Sequence, residues 1–243
     1  MNIFGTLRAQ VRRRLLFSYR VDPVVARTLI PEPLRPQLVD GSAVAGLCVI
    51  GLTDVRPGWL RPKVGLRTEN LAHRIAVEWD EGGETHTGVY VLERHSSALL
   101  PVLLGGRLFP GFQKRARFAL DETATRYRVR ATGDDVSIDV DVELTDRWES
   151  SLFPDVAAAS EFYKSGAVGW SPRRDGTVEP LELSSEGWLA SPGLVHHVES
   201  SFLDALPAGA ATLDSVLVMR DIPSVWEVPH ITIDDRRPLA PAG

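Results

Sequence analysis

Alternation of apolar and polar residues with a period of two is the feature of this sequence that most constrains its fold. The pattern is clearest in residues 136–144, where Val136, Ile138, Val140 and Val142 alternate with polar residues. A period of two places one face of a β-strand in a core and the other face in water. Segments of this kind, roughly ten in all, are separated by turn signals along the chain. We therefore predict a fold dominated by antiparallel strands.

Helix signals are few and short. Asp22 and Pro23 predict the N-cap and the first residue of a helix that runs to about Leu29. Further short helices are expected within residues 97–104 and 154–164. Together with the strands they predict a mainly β (α+β) fold, an antiparallel barrel or sandwich-like sheet system with a few short helices at its periphery.

The length of the chain suits one hydrophobic core. Its 243 residues, of which 44% are hydrophobic, predict a single domain over residues 1–243. Residues 234–243 are polar and rich in proline, so we expect this segment to form a frayed tail.

Charge and cysteine content exclude several classes of protein. The formal net charge is −5 at pH 7, and the densest basic cluster, residues 12–14, leads directly into an apolar segment, so no nucleic-acid-binding surface is expected. Cys48 is the single cysteine and has apolar neighbours, which predicts an inert buried thiol and a reducing compartment. Since no apolar segment has the length of a membrane span, we predict a cytoplasmic protein that does not associate with membranes.

Lysine is scarce in this chain. The 27 basic residues divide into 24 arginines and three lysines, which are Lys63, Lys114 and Lys164. Arginine keeps its proton in proteins, whereas a buried lysine can lose its proton and act as an amine nucleophile. Each lysine is therefore a candidate for covalent chemistry.

Motifs for nucleotide cofactors and for metals do not occur. Gly105, Gly106 and Gly111 lack the spacing of a phosphate-binding loop, so no cofactor is expected. The six histidines do not have the spacing of a zinc motif. Glu69 and His73 are expected to share a strand face, where a contact on a pocket wall or surface is the simpler interpretation. We predict no metal centre.

Several segments resemble the acetoacetate decarboxylase superfamily. Residues 106–107 (Gly-Arg) and 112–115 (Phe-Gln-Lys-Arg) are similar to the family's Gly-Arg-Glu segment and aromatic-Pro-Lys-Lys motif. Residues 19–22 and 31–34 resemble its Tyr-Arg-x-Asp and Pro-Glu-Pro-Leu pair. The resemblance extends over residues 10–120 and is greatest to an uncharacterised bacterial branch. It implies an antiparallel β-barrel or cone with short peripheral helices, and a homo-oligomer.

The same resemblance suggests catalytic residues. Lys114, on a strand expected over residues 112–120, takes the position of the family lysine that forms a Schiff base with the substrate. Glu69 lies in a segment that resembles the one holding the active-site glutamate. Arg12 matches the active-site arginine, and Arg14 is the alternative if the register slips by two residues.

Three further residues are substrate-binding candidates through the resemblance. Arg107 and Phe112 belong to the matched motifs, and Arg115 replaces the second lysine of the family. Gln113 stands where the family has proline. Both replacements depart from the motif, and arginine keeps the charge of lysine without its compact ammonium group.

Two functions follow as hypotheses. The first is a cofactor-independent lyase of the decarboxylase or aldolase-dehydratase type, which acts on a small keto acid through an imine at Lys114. Imine formation needs an unprotonated amine, so the lysine pKa must fall from about 10.4 toward neutrality through burial or a nearby cation, as it does in acetoacetate decarboxylase itself. The alternative is a protein that binds a small molecule on the same scaffold without turning it over.

Overall fold

Strands dominate the computed structural model, which describes residues 6–61, 65–98, 113–173, 177–185 and 187–227. This part of the chain has three helices, α1 (Pro23–Thr28), α2 (Val156–Ser165) and α3 (Ser201–Asp204). It has fourteen strands: β1 (Leu7–Val21), β2 (Arg35–Pro36), β3 (Leu38–Val39), β4 (Ser42–Pro57), β5 (Leu66–Glu81), β6 (Glu84–Ser96), β7 (Gln113–Arg115), β8 (Arg117–Glu122), β9 (Arg126–Thr132), β10 (Ser137–Leu144), β11 (Val168–Pro172), β12 (Val178–Ser185), β13 (Ala190–Ser200) and β14 (Ala211–Glu227). The predicted mainly β fold is confirmed.

Seven strands form a closed ring in the order β1, β4, β5, β6, β11, β12 and β14, and β14 pairs back to β1. All neighbours in the ring are antiparallel except β6 and β11, which run parallel. Closure gives each of these strands two partners, so the ring has no unpaired edge.

The pairing of β6 with β11 includes the fewest residue pairs of any two neighbouring strands in the ring. It joins only Val89 with Gly169 and Tyr90 with Trp170, whereas β1 and β14 pair along most of their lengths. Gly88 lies beside this seam, where a Cβ atom would come within 2.5 Å of a carbonyl oxygen of β11. The two backbones approach this closely because residue 88 has no side chain.

A second sheet packs against the outside of the ring. Its strands lie in the order β8, β9, β10 and β13, and β13 also pairs with β14 of the ring. Leu15 and Phe17 of the ring share a buried core with Val129 and Val140 of this sheet. The intervening Leu16 belongs to a separate core inside the ring. Both faces of β1 are therefore buried.

A β-bulge in β1 sets the direction of its arginines. The pairing of β1 with β4 shifts between Val11 and Arg13, which leaves Arg12 as the extra residue. Arg12 and Arg13 consequently point to the same side, where both bond Glu69. Arg14 points into the ring.

Aspartates cap the two longer helices. Asp22 caps α1, as predicted, by accepting a hydrogen bond from the backbone N–H of Val24 at 2.8 Å. Asp155 caps α2 through the backbone N–H of Ala158 at 2.7 Å. The last turn of α2 carries Tyr163, which lines the interior of the ring.

The strand predicted over residues 112–120 is divided in two. β7 pairs with β6 of the ring, whereas β8 pairs with β9 of the second sheet. Ala116 lies between them, so the chain passes from one sheet to the other at this residue.

Two of the expected segments lie outside the described residues, in full or in large part. They are the tail over residues 234–243 and the helix within residues 97–104. Within the described ranges, the helices are all too short or too polar to cross a membrane.

Candidate ligand-binding site

A cavity of about 740 Å³ lies inside the ring. Residues from all seven ring strands and from α2 line it. Much of its wall is apolar and includes Leu7, Ile50, Leu52, Val91, Leu181 and Trp226. Its volume lies within the range of cavities that enclose small organic molecules.

Three arginines, from strands β1, β5 and β6, enter this apolar cavity. Arg14 of β1 and Arg74 of β5 are only 7% and 8% exposed, and neither side chain has a hydrogen bond or an ion pair with a described residue. Arg94 of β6 donates one hydrogen bond, to Oγ of Ser171 at 3.0 Å. Each of the three guanidinium groups keeps a buried nitrogen to which the described residues offer no partner. The cavity thus holds positive charge that the described residues do not neutralise.

Aromatic rings support two of these guanidinium groups. The Cζ atom of Arg74 lies 4.9 Å from the centroid of the Tyr163 ring, and that of Arg14 lies 5.8 Å from the Trp188 ring. The Tyr163 hydroxyl is itself hydrogen-bonded to Ser18. A ring stacked on the face of a guanidinium group leaves its N–H edge available to bind a carboxylate.

Burial destabilises the charged form of two arginines. Burial lowers the pKa of Arg74, and the nearby charge of Arg14 lowers it further. Burial likewise lowers the pKa of Arg94 to about 10. An anion bound beside these groups would stabilise their charged form, so the electrostatics of the cavity favour an anionic ligand.

Cys48 lies in the lining of the same cavity. Its thiol is 7% exposed and unoxidised, in agreement with the predicted buried cysteine. An ionised thiol at this position would raise the pKa of Arg74 and that of Arg94, so Cys48 lies near each of these two guanidinium groups. The apolar neighbours of Cys48 in sequence did not reveal this basic environment.

Gln113 and Lys114 point in opposite directions. β7 runs parallel to β6 and pairs Gln113 with Arg94 and Lys114 with His95. Gln113 lines the cavity, and its Oε1 atom is buried without a partner in the part of the chain that the structure describes. Because successive side chains alternate along a strand, Lys114 lies on the other face of β7.

The amine of Lys114 is bound by two carboxylates. Its side chain is 46% exposed, and Nζ donates to Oε1 of Glu93 at 3.3 Å and to a carboxylate oxygen of Asp135. Burial would lower the pKa of Lys114, but its contacts with Asp135 and Glu93 outweigh that effect and raise the pKa. Schiff-base formation needs the opposite shift. The catalytic role of Lys114 stays a prediction, and the described surroundings do not favour it.

Glu93, Asp135 and His95 form the one group among the described residues with a donor set that suits a metal ion. Their ligand atoms lie within 4.8 Å of one another, and Nε2 of His95 is 3.0 Å from Oδ1 of Asp135. The ammonium group of Lys114 already bonds both carboxylates. Lys114 therefore supplies the positive charge that a metal would bring. His73 nearby is buried, and burial together with His95 lowers its pKa to about 3.

Arg12 and Glu69 lie together, in an ion network that does not include Lys114. Nη2 of Arg12 is 3.1 Å from Oε1 of Glu69, and Arg13 binds the other carboxylate oxygen at 2.6 Å. Glu122 of the second sheet bonds both arginines, so the four residues form a closed ion network. Neither Arg12 nor Glu69 belongs to the cavity lining.

The other predicted substrate-binding residues are not brought to the cavity by the described structure. Arg115 is exposed and does not belong to the lining. Arg107 and Phe112 lie outside the described residues. The alternative candidate Arg14 does line the cavity, whereas the sequence did not single out Arg74 and Arg94.

Solved structures similar to this chain include an acetoacetate decarboxylase and related enzymes. Acetoacetate decarboxylase from Legionella pneumophila subsp. pneumophila str. Philadelphia 1 matches with a TM-score of 0.61 and 15% identity, over 92% of this chain and 85% of that chain. An acetoacetate decarboxylase-like enzyme from Sphingomonas wittichii RW1 matches with a TM-score of 0.57 and 15% identity, over 92% and 90%. The enduracididine biosynthesis enzyme MppR complexed with pyruvate matches with a TM-score of 0.54 and 11% identity, over 91% and 88%. The chain has the acetoacetate decarboxylase-like fold.

The sequence gives a narrower assignment. The model of the DUF2071 family, described as an uncharacterized conserved protein, matches residues 8–168. This match spans more than half of the chain, and the chain belongs to that family. No curated protein sequence matches it at a significant level.

Proposed function

We propose that this protein binds a small organic acid inside the ring, with the carboxylate held by Arg14 and Arg74. The observation that carries the proposal is the pair of buried guanidinium groups without a carboxylate partner among the described residues. Arginine offers a planar fork of N–H donors that matches a carboxylate, and hydrogen bonds between charged groups are the strong ones. The apolar wall would accommodate the remainder of the ligand.

The other buried arginine of β1 provides the comparison within the same chain. Arg13 is almost fully buried, and its guanidinium group is paired with Glu69 and Glu122. A buried arginine that serves the fold is thus neutralised by carboxylates here, as buried charges generally are. Arg14 and Arg74 lack such partners in the described structure, which supports a role in binding.

A relative with the same fold supports the choice of ligand class. The MppR structure is described as complexed with pyruvate, a small carboxylate. We propose, by analogy, that this chain also binds a small acid, and that the ring interior is the place where it binds.

Catalysis through Lys114 is the second candidate function, and it rests on the resemblance of residues 112–115 to the family's lysine motif. It predicts that borohydride traps an imine between Lys114 and a small keto acid. Peptide mapping by mass spectrometry would locate the adduct. An acid that binds without a trapped adduct at any lysine would favour the binding protein over the lyase.

Isothermal titration calorimetry with a panel of small carboxylic and keto acids tests the binding proposal. We expect at least one acid to bind, and Arg74→Gln to weaken that binding by about 10-fold or more, since it removes a hydrogen bond between charged groups. Arg130→Gln is the matched control, because Arg130 is exposed and paired with Asp139 outside the cavity. Binding that survives Arg74→Gln unchanged would contradict the proposal.

A further inference from the structure

We infer that the ligand is a dicarboxylic acid and that Arg94 together with Gln113 forms its second acid-binding position. The inference rests on the proposed function and extends it, because it assigns a second polar position in the same cavity. Three features support it: the charge of the cavity, the placement of Arg94 away from Arg74, and the unpaired amide oxygen of Gln113.

The charge of the cavity exceeds what one carboxylate would neutralise. The described residues make no ion pair with three guanidinium groups there, those of Arg14, Arg74 and Arg94. Glu179 lies near enough to Arg94 to oppose the effect of burial on its pKa, but Glu179 is itself paired with Arg173 at 3.5 Å. The remaining charged groups of the lining do not change this count, since Arg56 is paired with Asp54 at 3.0 Å, and Glu182 and Lys164 are exposed. A ligand with a single carboxylate would leave two buried positive charges, whereas a second acidic group compensates another.

The three arginines occupy two positions. Arg14 and Arg74 are close enough for the charge of one to lower the pKa of the other. Arg94 pairs across the strands with Ala72, which lies two residues before Arg74 on the same face of β5. Arg94 is also held toward β11 by its hydrogen bond to Ser171.

Gln113 completes the second position. It lies directly beside Arg94 in the pairing of β6 with β7, and both side chains line the cavity. Its buried Oε1 atom has no partner among the described residues, and an amide oxygen accepts a hydrogen bond. A hydroxyl group next to the second carboxylate would donate that bond while the carboxylate accepts from Nε of Arg94. The favoured ligand is therefore a dicarboxylic acid with an apolar middle and a hydroxyl group near one end.

Calorimetry with linear dicarboxylates and with monocarboxylates of equal chain length tests the inference. We expect at least one dicarboxylate to bind about 10-fold or more tightly than its matched monocarboxylate, since it makes an additional hydrogen bond between charged groups. Arg94→Gln should abolish this preference, so that the dicarboxylate and the monocarboxylate bind with about equal affinity. Arg94→Lys keeps the charge without the fork and should retain part of the preference. Arg130→Gln should leave the preference unchanged.

The outcomes separate this inference from the proposal on which it rests. Equal binding of both acids, weakened by Arg74→Gln, would overturn the dicarboxylate and leave the acid site in place. A preference for dicarboxylates that persists in both Arg94 variants would overturn Arg94 as the second position. If neither acid binds in a manner that depends on Arg74, the acid site itself is wrong. Thermal unfolding of each variant confirms that it is folded before it is titrated.

Discussion

Arg74→Met is expected to stabilise the ligand-free protein and to abolish acid binding. Methionine has a long unbranched side chain that fills much of the space of the arginine stem but carries no charge. Arg74 is buried at 8% exposure without an ion pair to a described residue, so its charge opposes folding. Removal of that charge should therefore favour the folded state.

The size of the effect follows from two opposing contributions. An uncompensated buried cation costs several kcal/mol of desolvation even after relaxation. The stacking of Arg74 on Tyr163, at 4.9 Å, returns about 2 kcal/mol of this. We expect a net gain of about 2 kcal/mol in the free energy of unfolding, and a rise in Tm of about 4–8 °C for a chain of this length.

The same substitution at Arg13 provides the contrast. Arg13 is 1% exposed and paired with Glu69 and Glu122, so Arg13→Met would leave buried carboxylate groups short of a partner. We expect it to destabilise the protein by about 3–5 kcal/mol. Circular dichroism during thermal and urea unfolding measures both variants. A fall in Tm for Arg74→Met comparable to that for Arg13→Met would show that Arg74 serves the fold, and would refute the reasoning.

Three further predictions concern titration and reactivity. Burial would raise the pKa of Glu122, but its two arginine partners hold it below its ordinary value, so its stabilising contribution is present above about pH 4.3 and is lost as the pH falls further. Urea unfolding from pH 7 to pH 3 measures this effect: the free energy of unfolding should fall less with decreasing pH in Glu122→Gln than in the native protein. An equal fall in both proteins would contradict the ion network. Asp135→Asn should lower the pKa of Lys114 and increase its acetylation by acetic anhydride at pH 8, as read by peptide mass spectrometry; an unchanged rate would mean that Asp135 does not control the amine. Iodoacetate should react with Cys48 faster, relative to iodoacetamide, than it does with free cysteine, because the arginines attract the anionic reagent; an equal ratio would argue against a basic cavity.

Much of the architecture could be predicted from local pattern. The alternation at residues 136–144 corresponds to β10, and Asp22 with Pro23 marks the start of α1. The closure of the ring could not be predicted in this way. It depends on pairings between distant segments, such as β1 with β14, which leave no mark on the local alternation.

The site was harder to predict because it depends on which face each residue takes. A shift of one residue reverses the face of a strand, and this separates Gln113 in the cavity from Lys114 outside it. The bulge at Arg12 also shifts the alternation by one residue, so Arg14 points into the cavity and Arg12 points to the other face of β1. If one face of β5 were in water, the alternation of its residues would place Arg74 on the solvent face. Closure of the ring buries that face as well. Its neighbours on that face, Ala72 and Ala76, are small and apolar, and this is the signal that would have identified it.

The short seam between β6 and β11 makes the ring mechanically uneven. Only two residue pairs hold the backbones together there, and the hydrogen bond from Arg94 to Ser171 spans the same gap. Local opening costs least free energy where few contacts must break, so we expect the ring to open first between β6 and β11. A ligand that binds Arg94 would contact β6 directly at this pairing. Ligand binding in the cavity and local opening between β6 and β11 are thus coupled through the side chain of Arg94.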